Sequence, residues 1–221
     1  MRADTFTLFK KLNARYKRIR RRPKGVENAD IYKLKVEILG ELETLAEENL
    51  IDLYYGDESR VSTEPCIPYG WQFADEEVFF PAERSGGVNC FAFLSRTNKC
   101  RFETTQNSIN AEFILEQLDR FSFRLARPAV IVLDNASIHT AGIIKERLRV
   151  WQERGLFVFY LPRYSPHLNI AEILWRKLKY EWLSPLDYVS KENLFYTVRQ
   201  ALSAVGTSLR IGFSRFNYSL I

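Results

Sequence analysis

The spacing of apolar positions changes along the chain, and each change predicts an element. Between Asn28 and Asn49, residues Ile31, Leu34, Ile38, Leu42 and Leu45 recur at helical spacing, which predicts an amphipathic helix packed on a sheet. Short apolar runs follow at 51–56, 69–73, 77–80, 87–95 and 100–105, separated by Gly, Pro, Asn and Lys, and read as strands of an antiparallel meander. Residues 110–125 return to helical spacing through Phe113, Ile114, Leu118 and Phe121. Pro128 then introduces the unbroken run Ala129 to Leu133, whose length and branching predict a central strand. A helix over 140–154 stopped by Gly155, a strand over 156–161, a helix over 170–182 ended by Ser184-Pro185 and a helix over 191–204 complete the pattern. A meander followed by alternating helix and strand predicts a mixed sheet with helices on both faces.

A chain of 221 residues with 46% hydrophobic content fits one catalytic-sized domain plus an appendage. No window approaches the ~18 apolar residues of a membrane span, and the basic N-terminus lacks a signal-peptide core, so a cytoplasmic protein with no membrane association is expected. Cys66, Cys90 and Cys100 are odd in number and lack CxxC pairing, which favours buried thiols over zinc ligands or disulfides. With 2 histidines, His139 and His167, a histidine-rich zinc centre is also disfavoured.

Charge divides the chain. The whole carries +5, yet residues 1–35 hold 12 Lys and Arg against 3 acids, leaving 20 basic against 24 acidic residues in the remainder. The densest part includes Arg18, Arg20, Arg21, Arg22 and Lys24 and ends in Pro-Lys-Gly, an arm suited to phosphate backbones, although a solvated helix face gives the same composition. The boundaries that follow are 1–48 for a basic arm and linker helix, 49–205 for a catalytic domain and 206–221 for a C-terminal tail.

Three acids stand at the ends of predicted elements. Asp57 closes the first strand, Asp134 follows Ala129–Leu133, and Glu172 opens the helix that carries Trp175 and Lys179. Taken singly each has an ordinary reading: a turn for Asp57 or Asp134, a first-turn acid for Glu172. Together, three carboxylates gathered at one sheet edge suit Mg²⁺ or Mn²⁺ and phosphate chemistry, with two ions ~3.5–4 Å apart serving the attacking and leaving oxygens. Glu58, beside Asp57 in an extended chain, should point away.

Asp57-Glu58-Ser59, then Asp134-Asn135 with His139, then Pro162-Arg-Tyr-Ser-Pro-His-Leu-Asn-Ile-Ala-Glu172 with Trp175 and Lys179 resemble the signature of the DDE transposases of the mariner superfamily, in its bacterial insertion-sequence branch. Ile170 departs from it, standing where that family usually has proline, and the gap between the second and third acids is slightly longer than usual. The resemblance implies a ribonuclease H-like fold, a mixed five-stranded sheet flanked by helices. It also implies metal-dependent cleavage and strand transfer on double-stranded DNA, at transposon ends and target, by a homodimer in a bacterial, nucleoid-associated setting. Asp57, Asp134 and Glu172 would be the catalytic metal ligands. Asn135, His139, Tyr164, Ser165 and Asn169 would support them, with His139 a buttress or phosphate contact and Asn169 a helix cap. Trp175 is expected in the core, while Arg163 and Lys179 would meet DNA. A helix-turn-helix module from an upstream reading frame is a further expectation of the family. The alternatives are a DNA-binding remnant without turnover and a structure-selective nuclease of the same fold.

Overall fold

A computed structural model describes residues 28–64, 74–75 and 86–216. The expected strands at 69–73 and 77–80 and the cationic run Arg18 to Lys24 lie outside the described residues. The elements are α1 (Ala29–Glu47), β1 (Asp52–Ser62), β2 (Gly87–Leu94), β3 (Cys100–Thr105), α2 (Ala111–Ser122), β4 (Ala129–Leu133), α3 (Gly142–Glu153), β5 (Leu156–Tyr160), α4 (Ala171–Lys177) and α5 (Lys191–Ala204). They form a five-stranded sheet in the order β3-β2-β1-β4-β5, with β1, β2 and β3 antiparallel and β4 parallel to both β1 and β5. A mixed five-stranded sheet flanked by helices is the architecture that the resemblance implies.

All five side chains of β4 are buried, as a strand covered on both faces requires. On one face, α2 and α3 cover Phe91, Phe93, Ile131 and Leu133 through Ile114, Leu118, Ile144 and Trp151. On the other, α4 and α5 cover Val61, Cys90 and Ala92, and α1 covers Tyr55 and Val132. The Asn110 side chain caps α2 by accepting from Phe113 N at 3.0 Å, and Gly155, at φ +87°, ends α3 in the left-handed region that a residue with a Cβ resists.

Three predicted elements change on inspection. β1 runs on to Ser62 rather than stopping at Gly56, because β2 pairs with it from Tyr55↔Leu94 to Ser62↔Gly87, so Asp57 sits inside a strand. In α1 the buried residues are Val36, Leu39, Gly40 and Glu43, while Ile31, Leu34 and Leu45 are exposed. The face is chosen by a polar anchor that apolar spacing cannot reveal: Glu43 accepts from the Tyr55 hydroxyl and from Arg96 Nε at 2.6 Å. The helix over 170–182 is α-helical only to Lys177 and continues as a π-helix from Leu178 to Trp182. Leu183 N donates to Leu178 O at 3.2 Å, and this five-residue turn keeps Leu178 and Leu183 in one core. Residues 206–216 carry no helix or strand, yet Asn98 exchanges two hydrogen bonds with the backbone of Ile211, which is buried.

Asp119 clamps α2 to α3, accepting from Arg147 Nε and Nη2 at 3.0 Å each, Trp151 Nε1 at 2.7 Å and Arg154 Nη1 at 3.2 Å. Burial raises its pKa, but these donors outweigh that and hold it below the usual carboxylate value. Asp119→Ala strands the N–H of the fully buried Trp151. The expected loss is ~2–3 kcal/mol, read from urea unfolding; an unchanged midpoint would mean that the clamp contributes nothing.

Candidate active site

The carboxyl ends of parallel strands leave a crevice where the chain turns away. β4 pairs with β1 only from Asp52↔Ala129 to Tyr55↔Val132, so Asp57 protrudes beyond β4, and Asp134 follows β4's last residue. Glu172 lies in the first turn of α4, which packs across the same edge. The three acids line one cleft of about 510 Å³ together with Asn135, Arg163, Tyr164, Ser165 and Asn169. Thus all the supporting residues named from sequence except His139, and all three acids, border one space.

Each aspartate has one oxygen tied and one left over. Trp175 Nε1 donates to Asp57 Oδ2 at 3.0 Å. Asp134 Oδ1 takes both the Ala136 N–H, at 2.9 Å, and His139 Nδ1, at 2.7 Å. Asp57 Oδ1 and Asp134 Oδ2 have no directed donor among the described residues. Burial, then the charges of Glu58, Glu172 and Asp134, push the Asp57 carboxyl up to about 7, against the lowering hydrogen bond from Trp175. The hydrogen bond from His139 holds Asp134 below its usual value. Glu172 is raised by burial, with the Lys179 charge opposing.

A carboxylate pushed up first by burial and then by neighbouring carboxylates sits where a cation is favoured. Among the described residues no group of three or more His, Cys, Asp or Glu side chains is gathered closely enough to hold a metal ion as it stands. The arrangement is instead an open set of hard oxygen donors along one cleft, and that donor chemistry fits Mg²⁺ or Mn²⁺, which retain water in their coordination shells.

His139 is wholly buried, which corrects the expectation that it could touch a substrate phosphate. Its Nδ1 holds Asp134 and its Nε2 stands 3.0 Å from Glu58 Oε2, an ion-pair distance without the alignment of a directed hydrogen bond. Burial disfavours its charge, but the hydrogen bond to Asp134 and the negative charges of Glu58 and Asp134 beside it prevail and take it up to about 9. Asn135 Nδ2 donates to Leu161 O at 2.5 Å, tying the end of β4 to the loop after β5. Asn169 is buried; its Oδ1 accepts from Ala171 N at 3.0 Å and its Nδ2 donates to Gly56 O at 3.1 Å. It therefore starts α4 and joins it to the strand that carries Asp57.

In the loop, Tyr164 takes φ +58° and is 55% exposed, Ser165 is buried with its hydroxyl donating to Arg163 O at 3.2 Å, and Arg163 is exposed at the cleft. Lys179 is half-buried, and its charge acts on Glu172 and on Cys90. Sequence reasoning missed two contacts: the Trp175 N–H on Asp57 and the approach of Glu58 to His139. Trp175 lies three residues past Glu172, one helical turn on, and that spacing could have placed its indole at the acids.

The sequence model of a family described as DDE superfamily endonuclease matches residues 52–194, which include all three acids. The insertion element IS630 uncharacterized 39 kDa protein of Shigella sonnei is 28% identical over 130 residues. That match covers 57% of this chain and 37% of the relative's length. Among solved structures, the Mos1 transposase paired-end complex with left transposon end superposes with a TM-score of 0.56 at 14% identity, over 91% of this chain and 67% of that one. The Mos1 transposase catalytic domain with raltegravir and Mg gives 0.52 at 17% identity, over 81% and 86%. The Mos1 mariner paired end complex with Mn gives 0.51 at 14% identity, over 91% and 74%.

Proposed function

The chain belongs to the DDE superfamily endonucleases, and on that premise we propose that it is a transposase catalytic domain that cleaves DNA strands at insertion-sequence ends and joins them to a target. The observation that carries the proposal is the convergence of Asp57, Asp134 and Glu172 on one cleft at the carboxyl edge of the sheet. Residues 49–205 are the catalytic domain, 1–48 a basic arm and linker helix, and 206–221 a C-terminal tail.

Asp57 and Asp134 offer the oxygens that Trp175 and His139 leave over, and Glu172 faces them from α4. These three would hold two Mg²⁺ or Mn²⁺ ions, which when bound supply Lewis acidity at a phosphoryl oxygen and a nucleophile deprotonated near neutral pH. The protein's own part is positioning. Trp175 and His139 fix the aspartates, Asn169 fixes the start of α4 against β1, and the Pro162–Pro166 loop forms the wall along which the scissile strand lies. Arg163 at the cleft mouth and Lys179 beside Glu172 supply positive charge for phosphate, and the run Arg18, Arg20, Arg21, Arg22 and Lys24 engages the duplex backbone.

The Mos1 complexes are described with transposon ends and with Mn or Mg; the same substrate class, a homodimer on paired ends and a nucleoid-associated cytoplasmic setting are proposed for this chain. No helix among the described residues is long and apolar enough to cross a membrane.

Supercoiled plasmid incubated with Mn²⁺ tests this reading. The wild type is expected to convert it to the nicked circle, and Asp134→Ala at equal concentration to leave it at the level of buffer alone. Equal nicking by both proteins, or none by either, overturns the proposal in favour of a contaminant or of a DNA-binding remnant.

A further inference from the structure

We propose that Glu58 is a positioning residue, orienting the Asp134 carboxylate through the His139 ring. The proposal rests on the cleft being the metal site read above, and it concerns a side chain on the opposite face of the sheet. Alternation along β1 turns Glu58 away from Asp57, into the layer where Phe91, its register partner on β2, also contacts His139, the ring centroids 6.4 Å apart.

The His139 backbone is pinned there, its N–H donating to Ala136 O at 3.0 Å and its carbonyl accepting from the Tyr160 hydroxyl at 2.8 Å. What remains free is rotation of the ring about its own bonds. Nδ1 lies 2.7 Å from Asp134 Oδ1, and Nε2 lies 3.0 Å from Glu58 Oε2. Both Nε2 and that oxygen are buried and otherwise without a directed hydrogen bond, so each is the other's polar partner. Buried polar atoms strongly resist being left alone. Removing Glu58 releases Nε2 to seek another acceptor, and any turn of the ring that finds one carries Nδ1 off Asp134.

Consecutive residues of one strand thereby index two acids of the cleft. Asp57 is placed by its own backbone, and Asp134 is placed by Glu58 acting across β1 through the imidazole. Because His139 and the Ala136 N–H both occupy Oδ1, the carboxylate is held with Oδ2 toward the cleft. His139 is the partner one step removed from the ligand, of the kind that typically contributes ~10–100-fold to metal affinity, and Glu58 acts through it.

The chain has 2 histidines, so an ¹⁵N spectrum of its imidazoles is readily resolved, with His167 as internal reference. In metal-free Glu58→Ala the His139 Nδ1 resonance is expected to lose the signature of its bond to a carboxylate. Mn²⁺ affinity by calorimetry is expected to fall ~10–100-fold. Glu58→Gln, whose carbonyl can still accept from Nε2, should recover most of both, with circular dichroism confirming the fold of each variant. Wild-type Nδ1 signal together with wild-type Mn²⁺ affinity in Glu58→Ala overturns the proposal. A wild type that takes up no Mn²⁺ refutes the cleft reading instead, and the metal-free Nδ1 signal still decides whether Glu58 orients the ring.

Discussion

Asp57→Asn is expected to lose strand cleavage by ~10³-fold or more, the scale for removing a group that serves charge in the transition state, and yet to be more stable than the parent when both are free of metal above pH 7. The two effects have one cause. In the folded chain the Asp57 carboxyl is pushed up to about 7 by burial and by Glu58, Glu172 and Asp134, whereas in the unfolded chain it titrates near ~3.9. Between those values the folded state keeps a proton that the unfolded state has released. Stability therefore falls as pH rises through this window and stays low above it. Asparagine carries no such term, and its carbonyl can still accept the Trp175 N–H. A gap of three units corresponds to ~4 kcal/mol at most; screening and mutual adjustment of the acids should reduce the observed difference to ~1–3 kcal/mol. Urea unfolding of both chains in EDTA at pH 5 and pH 8 measures it. Parallel pH profiles for parent and variant would remove Asp57 from the repelling cluster.

The second large effect is expected at Asn169. Its side chain joins β1 to α4, donating to Gly56 O and accepting from Ala171 N, and it is only 4% exposed. Asn169→Ala leaves both backbone groups buried without these partners, at about 1–3 kcal/mol each, so a loss of ~2–4 kcal/mol is expected. It also frees the first turn of α4, which bears Glu172. Cleavage should then fall ~10–100-fold even where the variant is fully folded, because displacements near 1 Å weigh heavily on a positioned group. Asn169→Asp sharpens the test: it keeps the acceptor for Ala171 but sets a carboxylate oxygen against the Gly56 carbonyl, and should destabilise at least as much as alanine at pH 7. Urea midpoints and cleavage rates of the two variants decide it; a stable, fully active Asn169→Ala would mean that α4 is placed by its apolar face alone.

The sheet and the acids were legible in sequence to different degrees. Ala129–Leu133 announces a central strand because a strand covered on both faces must be apolar throughout, and Asp134 inherits its position from that strand. Glu172 was placed by the proline-bracketed loop before it. Asp57 reads as the end of a strand because the apolar run before it stops at Gly56. Its pairing with Ala92 across the hairpin is a long-range fact that no local window contains. The same applies to Glu58, whose polar character in the helix-covered layer is explained only by a histidine 81 positions later. The stripe of α1 was misplaced because a buried Glu43, held by Arg96 and Tyr55, outweighs three leucine and isoleucine positions that remain in solvent. The π-helix after Lys177 has no local signature; packing of Leu178 and Leu183 into one core selects it. Apolar periodicity thus finds surfaces that bury by area, and it misses those that bury by charge.

Beyond Tyr55, β1 continues as an arm alongside β2, with β3 extending the ladder as far as Asn89, and the link from Ser62 to Gly87 attaches at its far tip, five residues past Asp57. Because the arm's ladder absorbs whatever happens at that tip, this junction is a natural point for lengthening, trimming or exchange. The link can change in length there while the strand register that places Asp57 stays as it is.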